Sequence, residues 1–312
     1  MGRKVGVVAA TLIALTGLLA IYLYTRITLI DHEAVTDSVY VVSGVGGNVA
    51  VLRTQRGAVV VDTMTFPIQG RRIRDLAERL GGGPTQAVFN SHYHLDHTHG
   101  NPAWPVGTRI VATERTRAYL EHFDPGFWEG SAGGSAPNDL FEDNHELRIG
   151  NKTVRSYHLG RGHTGGDLVV LFVEDRVLHT GDLFFNRLYP NIDLEAGGSV
   201  QEWADTLERV LALDFDRVIP GHGPVTDRAG LRDFQRFIAE LAEFASEAVA
   251  AGRSLDETLA AADLEHDEAY EDMVFLYAFR FDHDFVIRRA WEEASGTVQP
   301  VDLPAPAQLG KR

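Results

Sequence analysis

The sequence predicts an α/β protein made of two successive blocks of strands and helices. In the first block, residues 58–90 have the pattern of a strand–helix–strand unit, with an amphipathic helix at residues 68–80. In the second block, runs of β-branched and aromatic residues at 153–159 and 167–173 predict further strands. Histidines lie next to strands in both blocks. Because ligand sites in open α/β sheets usually lie at the carboxyl ends of strands, we expect a site there.

Several helices are predicted outside this strand pattern. Thr113 and Ser254 have side chains typical of amino-terminal helix caps. Three further segments have helical apolar spacing: residues 199–213, 231–251 and 287–294. Residues 298–312 are rich in proline and polar side chains, which predicts a disordered tail.

Length and composition limit the classes of function. The chain has 312 residues, 44% hydrophobic and 23% charged, which is ordinary for a globular protein of one large or two modest domains. Its formal net charge of −15 argues against nucleic acid as a partner, because binding to a phosphate backbone needs a basic surface. The chain has no cysteine, which excludes disulfides and thiolate metal ligands. We therefore expect a small-molecule substrate.

The amino terminus carries a long uncharged run. Arg3 and Lys4 precede residues 5–25, which as a helix would span about 30 Å, enough to cross a bilayer. Residues 1–30 are therefore predicted to form a transmembrane anchor, with the membrane as a partner. Basic residues before the run predict an extracytoplasmic catalytic domain, periplasmic in a Gram-negative cell. The alternative is a cleaved signal sequence that leaves a secreted or periplasmic protein, although this run is longer than is usual for one.

The densest group of metal-ligand side chains follows a predicted strand at residues 86–90. It contains His92, His94, Asp96 and His97. Alternate residues of an extended chain face the same way, so His92 and His94 can hold one ion between them. Asp96 and His97 are adjacent in sequence and must point away from that pair. This arrangement favours a second metal position.

Three later residues have the right types and surroundings to complete such a site. His163 lies in a Gly-Arg-Gly-His-Thr loop, Asp182 in a Thr-Gly-Asp turn and His222 in a Pro-Gly-His-Gly turn. Each is next to a predicted strand. The neighbouring glycines allow sharp turns and let imidazoles approach a common centre.

The four motifs, in this order, resemble those of the metallo-β-lactamase fold superfamily over about residues 36–225. The resemblance implies an αββα sandwich, with the site in a cleft at one edge, and a catalytic domain at residues 36–295. It implies that His92, His94 and His163 bind a first metal and that Asp96, His97 and His222 bind a second. Asp182 resembles the carboxylate that bridges the two. Without thiolates, two Zn²⁺ ions per chain are expected, with iron or manganese feasible.

We interpret the chain as a dinuclear zinc hydrolase that uses a metal-bound hydroxide to cleave an ester, thioester, lactone or amide bond. Asp96 and Asp182 are the expected catalytic carboxylates, and Asp96 can accept a proton from the bound water. Tyr189 is a candidate donor to a developing oxyanion. Substrate specificity is expected to come from loops 124–137 and 184–198 and from helices after residue 222.

Two alternatives stay open. The first is β-lactam hydrolysis, which the expected location favours. Asp182 argues against it, because zinc β-lactamases usually carry Cys or Ser at the bridging position. The second is a non-haem iron oxygenase or electron-transfer member of the same fold, in which similar ligands hold iron.

Overall fold

A computed structural model describes the backbone of residues 2–130, 132–275 and 278–303. It describes side chains from residue 15 onward, apart from residue 268. The predicted tail at 298–312 lies largely outside this part of the chain. Its described start, up to residue 303, forms no regular element, and Val301 N–H donates to the Glu195 carbonyl at 2.8 Å.

The first sheet has its strands in chain order. Within the described residues it has seven strands, in the order β1 to β7. The first four pair antiparallel and the last four pair parallel, so the carboxyl ends of the parallel strands meet at one edge. The strands are β1 Asp31–Ala34, β2 Val39–Ser43, β3 Val49–Thr54, β4 Gly57–Val61, β5 Thr85–Phe89, β6 Ile110–Thr113 and β7 Asp139–Phe141.

The second sheet has six strands in the described part of the chain, in the order β13-β12-β11-β10-β9-β8. The strands are β8 Asn144–Ile149, β9 Lys152–Tyr157, β10 Val169–Phe172, β11 Val177–His179, β12 Arg217–Ile219 and β13 Thr226–Asp227. Neighbouring strands pair antiparallel except β11 and β12, which pair parallel.

Besides four short 3₁₀ helices, the described residues form nine α-helices and one separate hairpin. The helices are α1 Gly2–Thr28, α2 Pro67–Gly81, α3 Leu95–Thr98, α4 Glu114–Phe123, α5 Pro125–Trp128, α6 Val200–Leu211, α7 Arg228–Ala250, α8 Leu255–Ala260 and α9 His283–Ser295. The hairpin pairs β14 Met273–Phe275 with β15 Phe279–Phe281. Thr113 caps α4 by accepting from Thr116 N–H, and Ser254 forms a capping box with Glu257 at the start of α8. Both predicted caps are confirmed.

The two sheets pack face to face, with helices on their outer sides. Alternation along each strand separates the inner face from the outer face. On β10, Val170 and Phe172 join a core shared with Val59 and Phe89 of the first sheet, whereas Leu171 packs on the other side. The outer face of the second sheet is covered by α6, α7 and α9, and that of the first sheet by α2. The predicted αββα sandwich is therefore confirmed.

The predicted transmembrane helix is wrong. The run does form a helix, α1, but no helix in the described residues is long and apolar enough to cross a membrane. The side chains of residues 5–14 lie outside the described part. The alternative of a cleaved signal sequence stays a prediction.

Candidate metal centre

The loops that carry the predicted site residues meet at one edge of the sandwich. The histidine-rich segment follows β5, where the parallel strands of the first sheet end. In the second sheet, the turns that carry Asp182 and His222 follow β11 and β12. Because these two strands are parallel neighbours, their carboxyl ends place the two turns side by side. The loop that carries His163 precedes β10, the other neighbour of β11.

All seven predicted residues come together as two groups that could each hold a metal ion. Within each group, the potential ligand atoms lie within 4.8 Å of one another. The first group contains His92, His94, His163 and Asp182, and the second contains Asp96, His97 and His222. Most of these side chains are buried, whereas the side chains of His94 and His222 are 19% and 11% exposed. The centre is therefore enclosed by the protein but reachable from one side.

In the first group, a ring nitrogen of His163 and one of His94 point towards each other. His163 Nδ1 donates to the Asn191 carbonyl at 2.8 Å, which leaves Nε2 without a proton in the neutral ring. His94 Nε2 donates to Asp193 at 2.9 Å, which leaves Nδ1 without a proton when this ring is neutral. These two proton-free nitrogens lie 2.8 Å apart. A cation between them would turn this repulsive contact into coordination.

Asp182 lies between the two groups. Its Oδ1 is 3.1 Å from His97 Nε2, and its Oδ2 is 3.6 Å from His163 Nε2 and 3.5 Å from His222 Nε2. His97 Nε2 and Asp182 Oδ1 are both buried, and neither has a hydrogen-bond partner although they lie 3.1 Å apart. Buried polar atoms are rarely left unpaired in this way. Two buried ligand atoms without hydrogen-bond partners are expected where a metal ion binds.

Glycine is required next to this carboxylate. A Cβ at Gly221 would lie 2.0 Å from Asp182 Oδ1 and 2.6 Å from the Gly181 backbone carbon. The close approach lets the Gly221 N–H donate to the Gly181 carbonyl at 2.8 Å. The Pro-Gly-His-Gly turn is thus locked against the Thr-Gly-Asp turn, which fixes His222 relative to Asp182.

The carboxylates of the centre are ionised, which favours the binding of a cation. Burial alone would raise the pKa of Asp182, but the neighbouring His97, His222 and His92 hold it well below its usual range. Burial opposes the charged form of His222, but Asp182 and Asp96 outweigh it and raise the pKa of His222 to about 9. For His163, burial is the main cause of a pKa lowered to about 4, so this ring is neutral near pH 7. A divalent ion requires ionised carboxylates and neutral imidazoles, so Asp182 and His163 are ready to bind, whereas His222 must lose its proton when the ion binds.

A buried carboxylate that the sequence analysis missed supports the second group. Asp62, at the end of β4, accepts hydrogen bonds from the Ser91 N–H, the Ser91 hydroxyl and His97 Nδ1, each at 2.7 Å. The bond to Nδ1 fixes the tautomer of His97 with Nε2 free to face the metal position. The sequence feature that could have indicated Asp62 is its position as a charged residue at the end of a Val-rich strand.

Asp193 supports the first group in the same way and was also missed. Its Oδ2 accepts from His94 Nε2 at 2.9 Å and from the Tyr93 hydroxyl at 2.5 Å, and its Oδ1 accepts from Ala196 N–H at 3.0 Å. Burial alone would raise the pKa of Asp193, but the His94 and Tyr93 contacts outweigh it and hold the pKa below its usual range. Asp193 therefore orients His94 and stays ionised.

The expected role of Tyr189 is not supported by its surroundings. Its side chain is 6% exposed, and its hydroxyl donates to Asp267 Oδ1 at 2.5 Å. The ring packs near Tyr270 and Phe237, with ring centroids 5.9 and 6.2 Å away. Tyr189 therefore stabilises the 184–198 loop, and its hydroxyl is not free to meet an oxyanion.

Replacement of Asp193 by alanine is expected to weaken zinc binding about 10- to 100-fold, the usual effect of losing a hydrogen-bond partner of a metal-binding histidine. The cause is the loss of the acceptor that holds His94 in the tautomer with a free Nδ1. Zinc affinity is measured by competition with a chelator. Tyr93→Phe is the control, because it removes the other donor to the same carboxylate and leaves His94 untouched. Equal zinc affinity in Asp193→Ala and the wild type would contradict this role.

Comparison with known proteins identifies the family. The model of the metallo-β-lactamase superfamily matches residues 42–222, more than half of the chain and the segment that contains all seven site residues. The chain belongs to the metallo-β-lactamase superfamily. A curated relative, the metallo-β-lactamase type 2 of Bacillus cereus, is 27% identical over 186 residues, which covers 59% of this chain and 70% of the relative.

Solved structures in this superfamily share the fold. A metallo-β-lactamase from Pontibacter korlensis superposes with a TM-score of 0.59 at 20% identity, covering 68% of this chain and 99% of its own. A stereoselective inverting sec-alkylsulfatase from Pseudomonas sp. superposes with a TM-score of 0.69 at 18% identity, covering 85% of this chain and 50% of its own. Superfamily members named β-lactamase or alkylsulfatase are metal-dependent hydrolases, and they act on different bonds. At these identities the structural likeness extends to the fold alone.

Proposed function

We propose that this superfamily member is a dinuclear zinc hydrolase that cleaves an ester, thioester, lactone or amide bond of a small molecule. The observation that carries the proposal is the shared carboxylate of Asp182. One of its oxygens faces His97 in the second group and the other lies near His163 in the first. When bound, two divalent ions polarise the scissile carbonyl and lower the pKa of water from about 15.7 towards about 7.

Each side chain then has a defined part in the reaction. His92, His94 and His163 hold the first position, and Asp96, His97 and His222 hold the second, with Asp182 shared. Asp62 and Asp193 keep His97 and His94 in the tautomers that binding requires.

Asp96 is the proposed proton acceptor. It lines the cleft, and its Oδ2 faces His97 at 3.5 Å and His222 at 3.3 Å. We assign proton transfer from the attacking water to the other oxygen, Oδ1. Burial alone would raise the pKa of Asp96, but His97 and His222 outweigh it and lower the pKa, so the carboxylate is ionised and able to accept.

The test is a hydrolysis panel on the zinc-loaded full chain. It contains carboxylic esters, thioesters, lactones, simple amides and β-lactams, and Asp182→Ala prepared in the same way is the blank. We expect turnover of at least one ester, thioester, lactone or amide that is absent from the blank. A chain that binds two zinc ions and turns over no compound in the panel would contradict a hydrolytic function.

β-Lactam hydrolysis is the second candidate, because the relative from Bacillus cereus is named for it and aligns over 59% of this chain. The β-lactam arm of the panel separates it from the first. Cleavage confined to β-lactams, with none of the esters or lactones turned over, would favour this candidate.

A further inference from the structure

The hairpin after α8 has one apolar face. Its register pairs Met273 with Phe281 and Phe275 with Phe279. Because successive side chains of a strand point to opposite faces, these four side chains lie on one face, and Val274 and Arg280 lie on the other. We call the first of these the aromatic face.

The aromatic face forms one wall of the cleft over the metal centre. All four of its side chains line a cavity of about 150 Å³, and His94, Asp96, Asp182 and His222 line the same cavity. An engineered apolar cavity of about this volume is large enough to take benzene. A larger cavity of about 590 Å³ lies elsewhere, near Arg187 and Arg236, and contains none of the seven site residues. The smaller cavity is therefore the one that a reacting molecule would occupy.

The hairpin is attached to the segment that follows Asp182. Glu271, just before β14, donates its N–H to the Arg187 carbonyl at 3.0 Å and accepts from Tyr189 N–H at 3.0 Å. At the other end, Phe281 packs edge-to-face on Phe285 of α9, with ring centroids 5.0 Å apart. These contacts attach the hairpin both to the segment after Asp182 and to α9.

The aromatic face offers no charged or hydrogen-bonding side chain to an anionic group. Among the described residues that line the cavity there is no arginine or lysine. Arg280 lies on the opposite face of the hairpin, where it forms ion pairs with Asp272 and Asp282. Phe279 remains 55% exposed, so a ligand that covers it would remove apolar surface from water.

We propose that the substrate carries an uncharged apolar group, an aromatic ring or a short aliphatic chain, that packs on the aromatic face while its scissile bond lies at the metal centre. This inference rests on the proposed hydrolytic function and adds the class of substrate to it. An anionic group at the same end of the substrate would lie against phenylalanine with no cation to pair with it.

The test compares 4-nitrophenyl acetate, butyrate and hexanoate with the 4-nitrophenyl half-ester of glutaric acid, on the zinc-loaded full chain. We expect kcat/KM to rise about twofold to fourfold per added methylene until the cavity is filled, since each buried methylene contributes about 0.8 kcal/mol. The half-ester, whose chain ends in a carboxylate, is expected to react more slowly than the neutral hexanoate.

The variants use the two faces of the hairpin. Phe279→Ala, at an exposed position that tolerates truncation, and Phe281→Ala are expected to flatten the dependence on chain length. Val274→Ala is the matched control: Val274 is 56% exposed on the opposite face, and its variant should keep the wild-type dependence. A length dependence unchanged in Phe279→Ala, or equal rates for the hexanoate and the half-ester, would overturn the inference while leaving a hydrolase.

Binding of octanamide to the chain without added metal separates the two proposals, because it needs no turnover. Isothermal titration calorimetry is expected to show binding that weakens in Phe279→Ala and is unchanged in Val274→Ala. That pattern without turnover of any compound in the hydrolysis panel would keep the apolar cleft and reject the proposed function. If the wild type is a dimer and Phe279→Ala is a monomer with unchanged ester selectivity, a second copy covers this face and the inference is wrong.

Discussion

Replacement of Asp182 by alanine is expected to lower kcat/KM of the zinc-loaded protein by about a thousandfold, since a metal that stabilises charge contributes several kcal/mol and each 1.36 kcal/mol is about tenfold in rate. The reason is the place of this carboxylate between the two groups, with Oδ1 at 3.1 Å from His97 and Oδ2 at 3.6 Å from His163. Its loss removes a ligand from both positions at once. The measurement is the rate on the best substrate of the hydrolysis panel.

Zinc content distinguishes this loss from simple unfolding. Asp182→Ala is expected to keep its fold by circular dichroism and to retain fewer than two zinc ions per chain after removal of excess metal. Asp175→Ala is a control on the same sheet, because Asp175 pairs with Lys152 and Ser38, away from the metal centre. An Asp182→Ala protein with two tightly held zinc ions and a near-normal rate would contradict the bridging role.

Replacement of Asp62 by alanine is expected to have the largest effect on stability. Asp62 is fully buried and accepts from two Ser91 donors and from His97, so truncation leaves these groups without an acceptor. Breaking a buried hydrogen-bonded charge pair from one side costs about 3–5 kcal/mol of the free energy of unfolding. Urea denaturation of the full chain with a chelator present measures this loss without a contribution from bound metal.

Asp62→Asn separates the effect of charge from that of shape. Asparagine retains an acceptor for Ser91, so the stability loss is expected to be smaller than for alanine. Its NH₂ group can face His97 Nδ1, where it would oppose the required tautomer and weaken the second metal position. An asparagine variant with wild-type zinc stoichiometry and rate would show that Asp62 supports the fold without orienting His97.

Much of this site could be predicted because its residue types and spacing are local. His92 and His94 could be grouped because alternate residues of an extended chain face the same way. Glycine-rich turns marked His163, Asp182 and His222 as residues next to predicted strands. The αββα arrangement was implied by the family resemblance, and the two blocks of strands agreed with it. Thr113 and Ser254 were recognisable as caps because capping depends on residues within one helical turn.

The rest depended on contacts that no local pattern encodes. Asp62 and Asp193 act on histidines 35 and 99 residues away, so their roles appear only when the sheets bring the loops together. The strands of the hairpin at 273–281 have only three residues each, Met-Val-Phe and Phe-Arg-Phe, too few for a periodicity that predicts strands. Hydrophobicity alone suggested the transmembrane helix, which the described residues do not support.

The central claim is that seven side chains form two metal positions that share Asp182, and zinc stoichiometry tests it most directly. Native mass spectrometry of the full chain, titrated with zinc after removal of metal, is expected to show two bound ions in the wild type and fewer in Asp182→Ala. A wild-type protein that binds a single zinc ion, or that is purified with iron and consumes oxygen, would contradict the dinuclear zinc site.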